Sequence, residues 1–168
     1  DHTRFYSLYL RTLMGDYPED ELAESLERGD EVGLGGYGFL SLSYAELGAA
    51  SEADEILSRM LKFVKLGTRS LDIAETYEAR FYFDSELTQL ALLQMALHAG
   101  GDPAELLDKA ARTLVDRQRS GRWGSLNDSA WVLISYGERF REFLESDGRL
   151  DAEVRLGDLR LLSATSAD

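Results

Sequence analysis

Two histidines and two groups of acids are the side chains of this sequence that could serve acid–base or metal chemistry. His2 and His98 lie in separate predicted elements, and neither has a carboxylate at the spacing of a metal-binding motif. His98 ends a predicted helix, where a positive charge is favourable to the helix dipole. The acids of 19–21, and Asp84 with Glu86, fall in predicted first helical turns, where acids are expected for the same reason. The pattern predicts neither a catalytic site nor a metal site.

Two further features could bind a ligand. The glycines of "GLGGYG" (33–38) have the look of a phosphate-binding loop, yet no predicted strand precedes them and no Lys-Ser/Thr pair follows. They favour a tight turn with close helix packing. The aromatic residues that could line a pocket are Tyr37, Tyr44, Tyr77, Tyr82, Trp123 and Trp131. Packing in the core or at a joint is their favoured role, so no cofactor is predicted.

The charge balance excludes two classes of partner. The chain has 168 residues, with 18 Lys and Arg against 31 Asp and Glu, and its net charge of -13 repels nucleic acid and anionic membrane surfaces alike. It has no Cys, which rules out disulfides, thiolate nucleophiles and Cys-ligated metals. No apolar run reaches the roughly 18 residues of a membrane span, so we expect no direct membrane contact. Because the chain opens on Asp1, we expect it to be part of a longer protein.

Helical spacing of apolar residues, with clear start and stop signals, organises the chain up to residue 147. Helices are predicted over 3–14 before Gly15, from Pro18 to Gly29, from about Gly38 to Leu47, from a Ser51 cap to Gly67, from an Asp84 or Ser85 cap to 100–101, from Asp102 and Pro103 towards Gly121, and over 129–144 behind an Asn127 or Asp128 cap. Residues 68–83 lack a clean period and are predicted to form a long connection. The last helix is predicted to be amphipathic, with Trp131, Leu133, Ile134, Phe140 and Phe143.

The period changes after Gly148. In "RLDAEVRLGDLRLL" apolar and charged residues alternate, and Gly157 with Asp158 fits a two-residue hairpin turn. The sequence therefore predicts an all-α body over 1–147 and, over 148–168, the start of a following β domain or a tail.

The helical body also repeats itself weakly. "GYGFLSLSYAEL" (36–47) and "RWGSLNDSAWVLISYGER" (122–139) share an aromatic residue next to glycine, a turn into an apolar helix, and an ending in Ser-Tyr-x-Glu. With the helix over 85–97 between them, the intervals are roughly 40 to 45 residues, the length of a helix pair. Repeated helix pairs predict a solenoid or an α/α toroid.

Residues 84–140 resemble the C-terminal half of the thioester-type α/α-toroid domain of bacterial α2-macroglobulins, also called large extracellular α-helical proteins. The positions that carry the resemblance are Thr88, Ala91, Leu92 and Leu97, then Leu114 through Arg117, then Gly121, Trp123, Gly124 and Ser125, and finally Ala130, Leu133 and Tyr136. The strands after Leu150 agree with that family's return to a β domain. The resemblance implies a partial α/α toroid with a short C-terminal β-hairpin or strand pair.

The chain departs from the family pattern at two points. Leu126 and Asn127 stand where the family commonly has Thr-Gln, and the Cys of the family's thioester is missing. Either the thioester motif lies upstream, or the parent belongs to the members that lack it. No matched position takes part in thioester chemistry, so no catalytic residue is carried over. Gly121, Trp123, Gly124, Ser125, Ala130 and Tyr136 are structural positions of the pattern.

The resemblance implies a broad-spectrum protease inhibitor that traps a protease after its bait segment is cleaved. Its implied partners are proteases, bound through the full-length parent, and neighbouring β domains of the same chain. Its implied location is the periplasm, including lipoproteins of the inner membrane. On this interpretation the chain is not an enzyme, and its Trp turn holds two toroid helices together.

Two other classes of protein fit the same helical pattern. Terpenoid cyclases and protein prenyltransferases share the α/α toroid, although they need acidic clusters or zinc ligands at the central cavity. A helical-repeat binding module would instead present a concave interaction face. A signal peptide with many β domains upstream of Asp1 would favour the inhibitor, and a short cytoplasmic chain would favour the enzyme.

Overall fold

The computed structural model of the chain describes residues 2–27, 32–74, 85–101, 104–145, 151–156 and 159–165, and this part of the chain is mostly helical. The helices are α1 (His2–Leu13), α2 (Glu19–Glu27), α3 (Gly33–Glu46), α4 (Ala50–Leu61), α5 (Glu86–Gly100), α6 (Ala104–Asp116) and α7 (Leu126–Glu145). The strands are β1 (Val64–Leu66), β2 (Leu71–Ile73), β3 (Asp151–Leu156) and β4 (Leu159–Thr165). Each strand pair forms a separate antiparallel sheet. The predicted signals at Gly29, Tyr77, Tyr82, Asp84, Asp102, Pro103, Gly148, Gly157 and Asp158 lie outside the described residues.

The chain divides into two compact units, Asp1–Ser135 and Tyr136–Asp168. The division falls inside α7, whereas the sequence boundary at 147–148 marks the change from helix to strand. Among the described residues, no helix is both long and apolar enough to cross a membrane.

Two central helices organise the first unit. α3 packs against α1, α4 and α5, and α5 packs against α3, α4 and α6. Residues 34–43 of α3 and 88–97 of α5 are buried on every side. A helix that is buried all round has no solvent face, which is why neither sequence shows a clear apolar stripe. α1, by contrast, buries one face through Phe5, Leu8 and Thr12, as its spacing predicts.

The predicted glycine turn before residue 38 is wrong, because α3 already begins at Gly33 and includes the glycines. The close helix packing that the sequence also predicted explains why α3 contains these glycines. A Cβ on Gly36 would lie 2.8 Å from Cδ2 of Phe5, and a Cβ on Gly38 would lie 2.8 Å from Cβ of Leu92. Both distances are below normal contact, so glycine lets α1 and α5 approach α3 at these positions.

Local end signals are correct for some helices and wrong for α4. Gly15 and Gly101 follow α1 and α5 with positive φ, and Ser85 caps α5 by accepting a hydrogen bond from the amide of Thr88. The predicted Ser51 cap is wrong, since Ser51 lies inside α4, and so is the predicted end at Gly67.

A short hairpin replaces the predicted end of α4. The helix stops at Leu61, and β1 pairs with β2 in the register Val64↔Ile73, Lys65↔Asp72. The amide of Leu71 donates to Oγ1 of Thr113 at 2.8 Å, which ties β2 to α6. The strands of this hairpin thus consist of residues that the sequence assigned to the end of α4 and to a long connection.

An aromatic group joins α1, α3 and α7. The ring of Phe39, almost fully buried, lies 5.3 Å from Tyr6, 5.8 Å from Tyr9 and 5.4 Å from Trp131 between centroids. Trp131 also meets Tyr6 edge-on at 5.9 Å. Aromatic pairs at these separations contribute about 1 kcal/mol each beyond buried area. These aromatic residues therefore belong to helix packing, as the sequence favoured for Trp131.

The second unit contains the end of α7 and the predicted strand pair. β3 and β4 pair from Asp151↔Thr165 to Leu156↔Leu159, with a shift in register between Val154 and Arg155. The alternation in the sequence therefore predicts the strands correctly.

Candidate functional site

The segment 119–129 forms a joint that connects the end of α6 to the beginnings of α5 and α7. It starts with a tight reversal, in which Arg119 and Arg122 pair through two backbone hydrogen bonds of 2.8 and 3.1 Å. Between them Ser120 and Gly121 have φ values of 51° and 78°. Two successive residues with positive φ define the type I′ geometry, which glycine adopts without strain. Gly121 thus supports the turn that redirects the chain after α6.

Trp123 fastens the turn to α6 through its polar edge. Its indole Nε1 donates to the carbonyl of Leu114 at 2.6 Å, in the last turn of that helix. Its backbone is held by Ser129, whose Oγ accepts from the amide of Trp123 at 3.3 Å and donates to its carbonyl at 2.7 Å. The half-buried ring is therefore fixed at the indole and at the main chain.

A Trp123→Phe variant tests the indole bond. It keeps the aromatic ring but leaves the carbonyl of Leu114 without its donor, so we expect the free energy of unfolding to fall by about 1 kcal/mol. Urea unfolding followed by circular dichroism measures this change. If the free energy of unfolding is unchanged, the indole bond does not contribute to the joint.

The cap of α7 is Ser125, and the predicted cap at Asn127 or Asp128 is wrong. The first intrahelical bond runs from the amide of Ser129 to the carbonyl of Ser125. The amide of Asp128 donates to Oγ of Ser125 at 3.2 Å, and Oδ2 of Asp128 accepts from the amide of Ser125 at 2.6 Å and from its Oγ at 2.9 Å. This reciprocal arrangement is a capping box, with the acid three residues after the serine.

Asp128 also binds the first turn of α5. Its Oδ1 accepts hydrogen bonds from the hydroxyl of Ser85 and, at 3.2 Å, from the hydroxyl of Thr88. Asn127 adds a bond from Nδ2 to Oγ1 of Thr88 at 3.4 Å. One carboxylate therefore serves the N-termini of α5 and α7, the positive ends of both helix dipoles. The Ser-x-x-Asp spacing in the sequence is typical of a capping box, but the bonds from Ser85 and Thr88 to Asp128 depend on the fold.

The environment of Asp128 keeps its carboxylate ionised. Burial, to 6% exposure, raises its pKa, but the hydrogen bonds from Ser85, Ser125 and Thr88 outweigh burial and leave the pKa below its ordinary value of 3.8. A carboxylate with a lowered pKa is a weak base, so it activates the neighbouring hydroxyls poorly as nucleophiles. The arrangement is suited to holding helices together.

The lowered pKa of Asp128 predicts a specific loss of stability in acid. The folded state favours the ionised form, so this stabilisation is complete above pH 3.8 and is lost as the pH falls through the lower folded pKa. We expect the gap in the free energy of unfolding between the wild type and Asp128→Asn to narrow over that range. Urea unfolding of both proteins at several pH values measures the gap, and a gap that stays constant would contradict the assigned pKa shift.

Gly124 leaves room for the carboxylate. Its φ is +26°, and a Cβ at this position would collide with Oδ2 of Asp128 and lie 3.3 Å from Cδ1 of Leu87. Glycine is therefore required at this position both by conformation and by space.

Arg117 adds an exposed ionic link beside the joint. Its Nη2 lies 2.8 Å from Oε1 of Glu86 at the start of α5 and 3.3 Å from Oδ1 of Asp72 in β2. Exposed pairs of this kind contribute about 0.2 to 1 kcal/mol. The buried Asp128 network is thus the stronger connection.

The joint gathers Gly121, Trp123, Gly124 and Ser125, but not every structural position of the sequence pattern. Ala130 is exposed on α7, and Tyr136 belongs to the second compact unit. Burial raises the pKa of the Tyr136 phenol, with the charge of Arg139 opposing it. The sequence did not single out Ser129, and it predicted Ser85 only as a cap of α5 and not as a partner of Asp128.

The described ranges contain no group of three or more His, Cys, Asp or Glu that could hold a metal ion. Comparison with known proteins found no matching family model, no matching curated protein and no matching solved structure.

Proposed function

We propose that the chain is a non-catalytic scaffold, the C-terminal part of an α/α-toroid domain in a bacterial α2-macroglobulin-like protease inhibitor. The observation that carries the proposal is the joint over 119–129. Gly121, Trp123, Gly124 and Ser125, four positions on which the resemblance rests, lie together where α6 ends and α7 begins. Their roles are conformational, which fits a packing motif in a scaffold and supplies no reactive group.

The order of helix packing supports the toroid part of the proposal. α1, α3 and α5 pack side by side in sequence order, α4 packs against α3 and α5, and α6 packs against α5. Such alternation between neighbouring odd-numbered helices and connecting even-numbered helices is expected of helix-pair repeats. The Asp128 network connects the N-termini of α5 and α7.

The proposal carries partners and a location with it. The partners are proteases, engaged by the full-length parent, and β domains that adjoin this chain. The location is extracytoplasmic, in the periplasm or in a membrane-anchored lipoprotein. A net charge of -13 is consistent with protein partners and unfavourable to nucleic acid.

Protease trapping by the full-length protein tests the function. The protein is incubated with a general protease, and residual activity is measured on a small peptide substrate and on a large protein substrate. Trapping predicts loss of activity on the large substrate, retained activity on the small one, and co-elution of protease with the cleaved protein. Cleavage without retention of the protease would reject the inhibitor function.

A variant of the same protein tests the scaffold role of the joint. Asp128→Ala removes the carboxylate shared by α5 and α7, and Asp54→Ala removes an exposed carboxylate of α4 as the control. We expect the first variant to lose trapping together with thermal stability, and the control to retain both. If Asp128→Ala lowers thermal stability but leaves trapping intact, the joint is not needed for inhibition.

A further inference from the structure

Only a narrow face of α2 is covered by the rest of the first unit. Leu22 and Ser25 are buried, Leu26 is half-buried, and the other residues of this nine-residue helix are exposed. The exposed residues are five acids and an alanine, and α2 contains no Lys or Arg. An isolated helix shorter than roughly 12 to 15 residues is marginal in water. α2 therefore depends on its contacts with neighbouring helices to remain folded.

Two arginines of α1 bind acids of α2. Nη1 of Arg11 lies 2.7 Å from Oε1 of Glu21, and Nη2 of Arg4 lies 3.1 Å from Oε2 of Glu24. The order of these pairs shows that α1 and α2 run antiparallel. All four side chains are partly exposed to solvent, and exposed ion pairs contribute little to stability.

An arginine of α4 binds the end of α2. Nη1 of Arg59 donates to the carbonyl of Leu26 at 3.4 Å, which is long for a hydrogen bond from nitrogen to oxygen. Nη2 of the same arginine pairs with Oε1 of Glu55, also in α4, at 2.6 Å. α2 therefore spans from α1 to α4, and both of those helices pack against α3.

We propose that α2 is a strap that opens as a unit while the rest of the first unit stays folded. Parts of a protein with few buried apolar contacts open more readily than its core. Leu22 is the one fully buried apolar side chain of α2, whereas α3 is buried on every side over 34–43. Opening uncovers the site of Leu22 and separates Arg4 and Arg11 from their acids on α2. This proposal does not depend on the proposed inhibitor function.

Two buried serines provide matched probes of the opening, because the chain has no native cysteine. Ser25 in α2 and Ser43 in α3 are both 0% exposed. Each hydroxyl donates to the carbonyl four residues earlier in its own helix, at 2.6 Å for Ser25 and 2.8 Å for Ser43. Ser25→Cys and Ser43→Cys therefore place a single thiol in similar surroundings on the strap and on a central helix.

The rate of alkylation under native conditions measures how often each thiol becomes accessible. Each rate is divided by the rate of the same variant in urea, and circular dichroism checks that both variants are folded. We expect Ser25→Cys to react at least about tenfold faster than Ser43→Cys, because only the latter requires opening of the core. Equal rates would overturn the strap.

An arginine variant tests whether the ionic contacts hold the strap closed. In the Ser25→Cys protein, Arg11→Gln is expected to raise the alkylation rate about threefold, the contribution of an exposed pair. Arg117→Gln is the matched control, because Arg117 also pairs with two acids, on β2 and α5 rather than at α2. The control should leave the rate unchanged. Equal acceleration by both variants would show that the whole unit opens, which contradicts the strap.

Hydrogen exchange of the unmodified chain provides a test that requires no substitution. Amides of α2 are expected to exchange at least about tenfold faster than those of α3 over 34–43, after correction for intrinsic rates. If α2 exchanges as slowly as α3, the two helices open together and the proposal is wrong.

Discussion

Replacing Asp128 with alanine is expected to lower the free energy of unfolding by about 3 kcal/mol, the largest effect of any single change in the joint. The carboxylate accepts hydrogen bonds from Ser85, Thr88 and Ser125, and it is almost fully buried. Its removal leaves these donors without an acceptor and uncaps α7. Urea unfolding at neutral pH measures the loss.

Two controls show whether the loss comes from the network. Asp54→Ala, on the exposed side of α4, is expected to change the free energy of unfolding by no more than about 0.5 kcal/mol. In a double-mutant cycle, Ser85→Ala should cost far less once Asp128 is alanine, with a coupling energy of about 1 kcal/mol or more. Fully additive effects would mean that Ser85 and Asp128 stabilise their helices independently.

The sequence predicts those features that are determined by neighbouring residues. The Ser85 cap, the glycines after α1 and α5, and the alternation of β3 are local signals, and all appear in the structure. Ser51 carries a similar local signal, but α4 begins one residue before it, with Ala49 as its cap. A capping preference is weak enough for packing to shift a helix end by two residues.

Features that depend on distant residues could not be predicted. The glycines of α3 have the composition of a turn, and only contact with Phe5 and Leu92 explains them in a helix. Likewise, the sequence predicts Asp128 only as a candidate N-cap, whereas its bond to Ser85 joins residues 43 positions apart along the chain. The apolar residues of α7 suggested one buried stripe. In the structure Trp131 packs against Phe39, whereas Leu133 and Ile134 are exposed.

The segment "RWGSLND" illustrates both limits. Its glycine could be assigned to a turn from the sequence, but the helix start was predicted at Asn127 or Asp128 and lies at Ser125. The resemblance rests partly on the same residues. The contacts of the joint could not be predicted in this way, because Trp123 binds α6 and Asp128 binds α5, and both contacts depend on how the helices pack. The sequence therefore indicates where the joint lies, and only the structure shows which partner each of its residues binds.

A Gly124→Ala variant is expected to lower the free energy of unfolding by about 2 to 4 kcal/mol, since it combines backbone strain with a collision. Gly48→Ala is the matched control: Gly48 also has a positive φ, of 72°, but a Cβ there meets nothing within 4 Å. The control should cost only about 1 kcal/mol, the conformational part. Urea unfolding of both variants measures the difference.

The source of the extra cost at Gly124 can be identified by removing the obstacle. In an Asp128→Ala background the carboxylate that meets the new Cβ is gone, and only the flexible end of Leu87 remains close. Gly124→Ala should then cost about as much as Gly48→Ala, because strain alone is left. An undiminished cost in that background would show that the collision with Asp128 is not what requires glycine at the joint.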